Sequence, residues 1–424
     1  MNLHPLLHFL LLIILLSVHL VTVTFATQTT QSSDSDWLMF RHDPEHTGST
    51  NVSAPLEPPV ILWQTNVFAF ITSSPAVVDN RVFVTDYIGN LVCLNASTGD
   101  KIWTSSGQGS PAVVDGVVYV GHDVITAYNA SNGEKIWSDQ TLYGSGGSSP
   151  AVVNGIVYTS FFGRHAYNAS TGAKIWSQTS DELLSAPAVS NDVVYFGGYS
   201  LLAVNASTGT EIWRYAPQIN TAQTYRAGSP CIEGGYVYVG LSDSFYCLDA
   251  TTGKKVWDNP KGAFGSSPAV SNGIVYFGSQ DFNVYALNAS TGSKIWNYST
   301  GYLVDSSPAV ADGAVYVGSG DGNLYAFNAS TGVKLWNFTL QPLRDEKGYS
   351  RYLFASPAIA SGKIYMGTSD GMVYALGTST VSDEPPFPFL LIIFVVPLLF
   401  ILAVMAYQKI RKIYRAYTNH SALL

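Results

Sequence analysis

The chain has 424 residues and a formal net charge of −8 at pH 7, with 47% hydrophobic and only 12% charged residues. An acidic balance of this kind excludes nucleic acid as a natural partner. Its three cysteines, Cys93, Cys231 and Cys247, are too few to staple a chain of this length, so packing must hold it together.

From the N-terminus, Leu6 to Val23 is an apolar run that leads through Ala26 into the polar stretch TQTTQSSDSD. Residues 1–26 read as a secretory signal peptide. His4 and His8 stand where Lys or Arg is usual, which leaves an uncleaved anchor as the alternative. Residues 27–59 precede the first repeat. Within them His42 and His46 flank Asp43 and Glu45 like a ligand cluster, but Pro44 breaks the helix that would bring both histidines to one face.

Residues 60–377 are repetitive, with a period of roughly 36 to 49 residues, the size of a propeller blade or another repeat unit. The fullest copy, SSPAVADGAVYVGSGDGNLYAFNASTGVKLW (Ser306 to Trp336), contains four short alternating segments separated by DG, GDG and STG. This predicts four antiparallel strands per unit. A Pro opens each unit at 75, 111, 150, 187, 230, 268, 308 and 357, and a Trp closes it at 103, 137, 176, 213, 257, 296 and 336. No Trp follows Pro357, whereas Trp63, in VILWQTN, precedes the first unit without a blade of its own. The eighth blade is therefore expected to close with Val60 to Asn66, which removes an open sheet edge. Trp63 and the seven closing Trp are predicted to fill the seams between blades, where a large ring with an N–H donor packs well.

These phrases resemble the pyrroloquinoline-quinone-like (PQQ-like) eight-bladed propellers, whose tryptophan-docking phrase A-x-D-x-x-T-G-x-x-x-W ties neighbouring blades. DWLMFRHDPEHTGST, Asp36 to Thr50, is similar to the segment that caps the first blade in many members. The resemblance implies an all-β, eight-bladed ring of four-stranded blades. It covers quinoprotein dehydrogenases and non-catalytic members such as the outer-membrane assembly lipoprotein, and the likeness here is nearer the latter. A dehydrogenase of this family is expected to hold calcium through Glu, Asn and Asp, to use an Asp base, to stack the quinone on a Trp, and often to show adjacent cysteines. This chain has no Cys-Cys pair.

Family members carry Asp in the docking turn, as Asp249 does, but Asn95, Asn129, Asn168, Asn205, Asn288 and Asn328 replace it here, each followed by Ala-Ser. Asn and Asp both cap tight turns. N-x-S is also a glycan acceptor in an exported chain, and Asn51, Asn297 and Asn337 add sequons that turn chemistry does not explain. In a propeller the docking turns share one face with the turns between first and second strands, so glycans there leave the opposite face for a ligand. Two blade-to-blade connections on that face are long: Arg214 to Gly228 and Asn337 to Ala355. They carry Arg214, Tyr215, Tyr225, Arg226, Arg344, Tyr349, Arg351 and Tyr352, residue types enriched in binding hot spots. An extracellular protein, a glycan or a small anionic ligand would complement them.

Catalytic signals are weak. Asp243, Asp281, Asp321 and Asp370 lie in turns that could bind calcium, but Asp-Gly is also what such hairpins require. Cys93 and Cys247 occupy an Ala position of the repeat, which suits small buried residues. No catalytic residue and no metal site is assigned, and PQQ with calcium would be cofactors only if the chain were an oxidoreductase.

After a linker at 378–386, Phe387 to Tyr407 has the length and apolarity of a transmembrane helix. Lys409, Arg411, Lys412 and Arg415 place the tail, 408–424, on the cytoplasmic side. The expectation is a single-pass cell-membrane protein whose external propeller binds or scaffolds. Alternatives are a membrane-tethered PQQ-dependent oxidoreductase and an envelope protein assembly factor.

Overall fold

The computed structural model describes residues 36–67, 69–71, 73–121, 125–139, 149–160, 163–180, 184–217, 228–241, 244–260, 266–340, 355–378 and 404–412. The chain divides into two units, Met1–Thr378 and Ser379–Leu424. Among the described residues the first holds all the strands and the second a short helix at 404–412. No described helix is long and apolar enough to cross a membrane. The signal segment 1–26 and most of Phe387 to Tyr407 lie outside the described residues.

The first unit is an eight-bladed propeller. In blade 7, Ala309–Ala311, Ala314–Gly318, Asn323–Asn328 and Lys334–Thr339 run antiparallel from the axis to the rim. Asp312 and Gly313 turn the first strand into the second with φ of 50° and 73°, the left-handed pair that matches strand twist in a two-residue hairpin. Tyr316, Val317, Leu324 and Phe327 are fully buried, because the middle strands meet a neighbouring blade on both faces. The outer strand buries Trp336 and exposes most of its other side chains.

Blade 8 closes as the orphan Trp63 predicts. Ala358–Ala360, Lys363–Gly367 and Met372–Gly377 take Val60–Asn66 as their outer strand, with Trp63 opposite Ala375. The ring is thus held shut by a strand from the start of the chain and three from its end.

Each seam is built around one backbone carbonyl. The indole Nε1 of Trp63 donates to Ala96 O at 2.9 Å, and Trp103, Trp137, Trp176, Trp213, Trp257 and Trp296 donate likewise to Ala130, Ala169, Ala206, Ala250, Ala289 and Ala329. A carbonyl has two lone pairs. In six seams the second receives a tyrosine hydroxyl from the same neighbouring blade, from Tyr119, Tyr195, Tyr238, Tyr276, Tyr316 and Tyr365. Blade 8 has no docking turn, since its third and fourth strands are not consecutive in sequence. There Pro55 O accepts from both Trp336 and Tyr316, at 3.1 and 3.0 Å.

The docking turn also explains its glycine. Gly172 has φ of 70°, and a Cβ on it would lie 2.6 Å from the Trp137 ring. The indole therefore lies flat against the turn, a contact repeated at the other docking turns.

Every outer strand carries a bulge immediately before its Trp. In blade 7 Ala326 pairs with Trp336 but Phe327 with Lys334, leaving Leu335 as the extra residue. The same shift occurs at Leu62, Ile102, Ile136, Ile175, Ile212, Val256 and Ile295. A bulge re-aims the side chain that follows it and interrupts the ladder of an open edge. One irregularity therefore turns Trp into the seam and discourages strand addition at the rim.

The inner edges of blades 1, 2, 4, 5, 6 and 7 are covered by the N-terminal segment. Trp37 exchanges two backbone bonds with Val77 of blade 1, and Leu38, Pro44, Glu45, Thr47 and Gly48 accept from Val113, Val189, Ile232, Val270 and Val310 of blades 2, 4, 5, 6 and 7. Ser49–Thr50 then adds a parallel strand to Val310–Ala311. The innermost strands would otherwise present unpaired N–H groups to the axis. At the other end of these strands, the serine before the repeat Pro links blades: Ser74 N to Ser110 Oγ, Ser110 N to Ser149 Oγ, and Ser229 through Ser267 and Ser307 to Ser356.

Two glycines with nearly equal φ separate the docking contact from backbone strain. Gly155, at 72°, has open space where a side-chain methyl would stand, whereas Gly172 faces Trp137. Gly155→Ala should cost about 1 kcal/mol, and Gly172→Ala should cost that plus about 1–3 kcal/mol of overpacking. Urea denaturation of the two variants measures the difference, and equal losses would remove the indole contact as its cause.

Candidate binding surfaces

Ala96 N donates to Asn80 O and Ser97 Oγ to Asn80 Oδ1, which places the docking turn beside the first turn of its blade, on one face of the ring. On that face Asn95 Oδ1 accepts from the backbone of Ser97 and Thr98, at 2.8 and 3.1 Å. Asn129, Asn168, Asn205, Asn288 and Asn328 make equivalent turns. Asp249 makes the same bonds through its carboxylate, and those from Thr252 hold it below the usual carboxyl range. The turn thus uses only the oxygen that Asn and Asp share, while Nδ2 of the six asparagines bonds to no group among the described residues. Asn297 and Asn337 differ: their Nδ2 atoms donate to Asn283 and Asn323, at 3.1 and 3.4 Å. Asn51 is exposed. Asn297 lines a cleft of about 290 Å³ with Asn259, Asp281, Asn283, Tyr285 and Lys294.

The opposite face receives the blade-to-blade connections. Arg214 and Tyr215 fall within the outer strand Glu211–Tyr215 of blade 4, not in the loop. Arg214 bonds Ser200 Oγ and Glu211 Oε2, both at 3.0 Å, and Tyr215 packs on Tyr246 with ring centroids 5.4 Å apart. Tyr225, Arg226, Arg344, Tyr349, Arg351 and Tyr352 lie outside the described residues.

The turn carboxylates on this face are engaged. Asp281 accepts from Asn283 N and from the Tyr285 hydroxyl at 2.6 Å. Burial opposes its charge, yet these bonds hold its carboxyl below the usual range. Asp321 accepts from Asn323 N, Gly301 N and Tyr325, and Asp370 from Thr368. Asp243 lies outside the described residues. Among the described residues no three His, Cys, Asp or Glu side chains are grouped to hold a metal ion. The cysteines are buried and form no disulfide; Cys93 and Cys247 face Trp103 and Trp257 across their sheets, and burial pushes both thiols up to about 12.

At the axis, HDPEH folds as a turn and its histidines diverge. His42 Nδ1 meets Asp43 at 3.2 Å, and Asp43 also accepts from Thr47 N and Oγ1. His46 and Arg41, both 1% exposed, reach blades 5 and 6: His46 Nδ1 donates to Pro230 O at 3.2 Å and Arg41 Nη2 to Pro268 O at 3.0 Å. Sequence reasoning missed Arg41, because nothing in its local pattern distinguishes a buried arginine from a solvated one.

This architecture defines an eight-bladed β-propeller with tryptophan-docked seams. The chain belongs to the family of PQQ-like repeats described as outer membrane protein assembly factor BamB, whose family model matches residues 59–164, 121–257 and 242–382. Among solved structures its fold is similar to the quinohemoprotein alcohol dehydrogenase of Comamonas testosteroni, with TM-score 0.68, 15% identity, and coverage of 84% of this chain and 83% of that one. It is also similar to the quinohemoprotein alcohol dehydrogenase ADHIIG of Pseudomonas putida HK5, at TM-score 0.66, 16% identity and coverage of 83% and 82%. BamB of Moraxella catarrhalis aligns at TM-score 0.59 and 16% identity, covering 76% of this chain and 100% of that one. At these identities the likeness shows the fold. No curated protein sequence matches the chain.

Burial, with the Arg41 charge adding to it and Asp43 opposing, lowers the His46 imidazole to about 4. Between pH 6.5 and about 4 the unfolded chain therefore binds a proton that the folded chain refuses, so stability falls as pH falls through this window, by up to about 3 kcal/mol. The carboxyls of Asp36 and Glu45, raised by burial, act with the opposite sign. The informative quantity is the difference between wild type and His46→Gln in urea midpoints from pH 7.5 to 4.5. The variant should lose less stability across this range, and parallel curves would refute the assignment.

Proposed function

We propose that this protein is an exported, membrane-anchored β-propeller that binds a partner at the cell surface without catalysing a reaction. Residues 1–26 direct export, Phe387 to Tyr407 spans the membrane, and the tail from 408 remains cytoplasmic. The six docking-turn asparagines carry glycans on one face, with Asn51 a further site. The opposite face binds an extracellular protein, glycan or anionic ligand through Arg226, Arg344 and Arg351 and their neighbouring tyrosines. The family description and the likeness to BamB support a protein as partner, which includes an envelope assembly role.

The observation that carries the non-catalytic reading is the use already made of the groups a quinone site would need. The eight docking tryptophans are committed to seams, and Trp37 stands edge-on to His42 beneath blade 1, with ring centroids 5.0 Å apart. The Asp281 and Asp321 carboxylates close their own hairpins. The described residues therefore do not fit PQQ with calcium. Adding PQQ and Ca²⁺ to the full chain tests the oxidoreductase alternative: saturable quinone absorbance with alcohol oxidation would overturn the proposal.

Protease added to intact cells should remove the propeller and spare a tag at Leu424, whereas a degraded tag reverses the topology. Replacing Arg226, Arg344 and Arg351 together by Ala should change stability by under about 0.5 kcal/mol but abolish retention on immobilised polyglutamate. Changing Asn95, Asn129 and Asn168 to Asp keeps the turn oxygen, so it should remove their glycans and leave retention intact. Retention by the Arg-less chain together with its loss in the Asp variant would move the binding surface to the docking-turn face.

A further inference from the structure

Arg41 keeps its charge at physiological pH, since a guanidinium does not release its proton in proteins. It is fully buried, Nη2 bonds Pro268 O, and both Nε and Nη1 are buried without a hydrogen-bond partner among the described residues. Three N–H bonds of one cation are thus unanswered. No carboxylate among the described residues forms an ion pair with it. Asp43, the acid whose charge reaches it, gives its oxygens to His42 and Thr47. An uncompensated buried charge is among the costlier features a fold can contain.

His46 stands at the matching place one blade away, because Pro230 and Pro268 are the same repeat position in blades 5 and 6. As a carbonyl only accepts, Nδ1 carries the proton, and Nε2 is left as a buried lone pair without a partner among the described residues. The arginine is built into place. Gly48 N closes a turn on Arg41 O at 2.9 Å, and a Cβ at Gly48 would lie 1.9 Å from Nη2, so the guanidinium occupies the space this glycine leaves.

We propose that Arg41 and His46 hold a small oxyanion that also bears a hydroxyl, such as hydrogenphosphate, between the N-terminal segment and the inner strands of blades 5 and 6. Its charged oxygens accept from Nε and Nη1 of Arg41, and its O–H donates to Nε2 of His46. A water molecule would satisfy hydrogen bonds but leave the cation uncompensated. Acetate, which lacks the proton at neutral pH, would answer Arg41 but not His46.

Equilibrium dialysis of the full chain against radiolabelled inorganic phosphate, and separately acetate, at pH 7.5 tests the site. Wild type should bind one equivalent of phosphate and should bind acetate at least tenfold more weakly. Arg41→Gln should lose both, and Arg41→Lys should retain phosphate with at least tenfold lower affinity. Absence of stoichiometric phosphate binding in wild type would mean that water alone fills the site, and undiminished binding by Arg41→Gln would place phosphate elsewhere; either result overturns the proposal. If Arg41→Gln fails to fold by far-UV circular dichroism, crystals of the unaltered chain soaked at pH 7.5 in arsenate, which keeps a hydroxyl as hydrogenphosphate does, decide. An anomalous peak in contact with Nε or Nη1 of Arg41 supports the site, and none there refutes it.

Discussion

The ring depends on one acceptor per seam: the backbone carbonyl of the docking-turn alanine. It takes the indole of the neighbouring blade, and in five seams a tyrosine hydroxyl as well, so one atom fixes the outer and second strands of one blade against the next. Buried N–H and O–H groups are costly when unpaired, so the aromatic pair makes the seam specific as well as apolar. Phe83 replaces the tyrosine in blade 1, and there Ala130 O receives Trp103 alone among the described side chains. At the blade whose docking turn is lost to circular closure, Pro55 supplies the carbonyl, so the constraint outlasts the motif that usually satisfies it.

Ring closure supplies the outer strand of the last blade. Each blade retains an inner and an outer edge, and the two are managed differently. The inner edges face a narrow axis, where residues 37–50 pair with six of the eight while burying Trp37 and Met39. The outer edges face solvent on all sides. There a bulge interrupts each ladder, and a lysine precedes it in most blades, as at Lys101, Lys135 and Lys334. The same bulges aim the tryptophans, so edge protection and seam formation share one backbone irregularity.

This division leaves the two faces with different chemistry. One repeats a short turn whose asparagine oxygen is committed to the backbone and whose amide nitrogen is not. The other collects hairpins in which Asp281 and Asp321 accept from tyrosine and backbone donors. Among the described residues the Asp281 and Asp321 carboxylates and the docking tryptophans are thus committed to hairpins and seams.

Blade number, strand count, the closing strand and the seam tryptophans were all legible in the sequence, because each is a local pattern repeated at a fixed period. The orphan Trp63 predicted closure since a ring must have as many outer strands as blades. Which carbonyl each indole reaches, the substitution of Pro55, and the second donor from tyrosine were decided by tertiary structure, as they join residues from different blades. The same holds for the axis. In sequence HDPEH resembles a ligand cluster broken by Pro44 within a blade-capping segment, and only the meeting of that segment with blades 5 and 6 buries Arg41 and His46 without their full set of partners. Arg214 shows the converse: its sequence placed it at the start of a binding loop, but the strand runs two residues further, to Tyr215, and the Arg214 side chain bonds Glu211. Sequence period determines the repeating scaffold, whereas contacts between distant segments determine which polar groups the scaffold consumes.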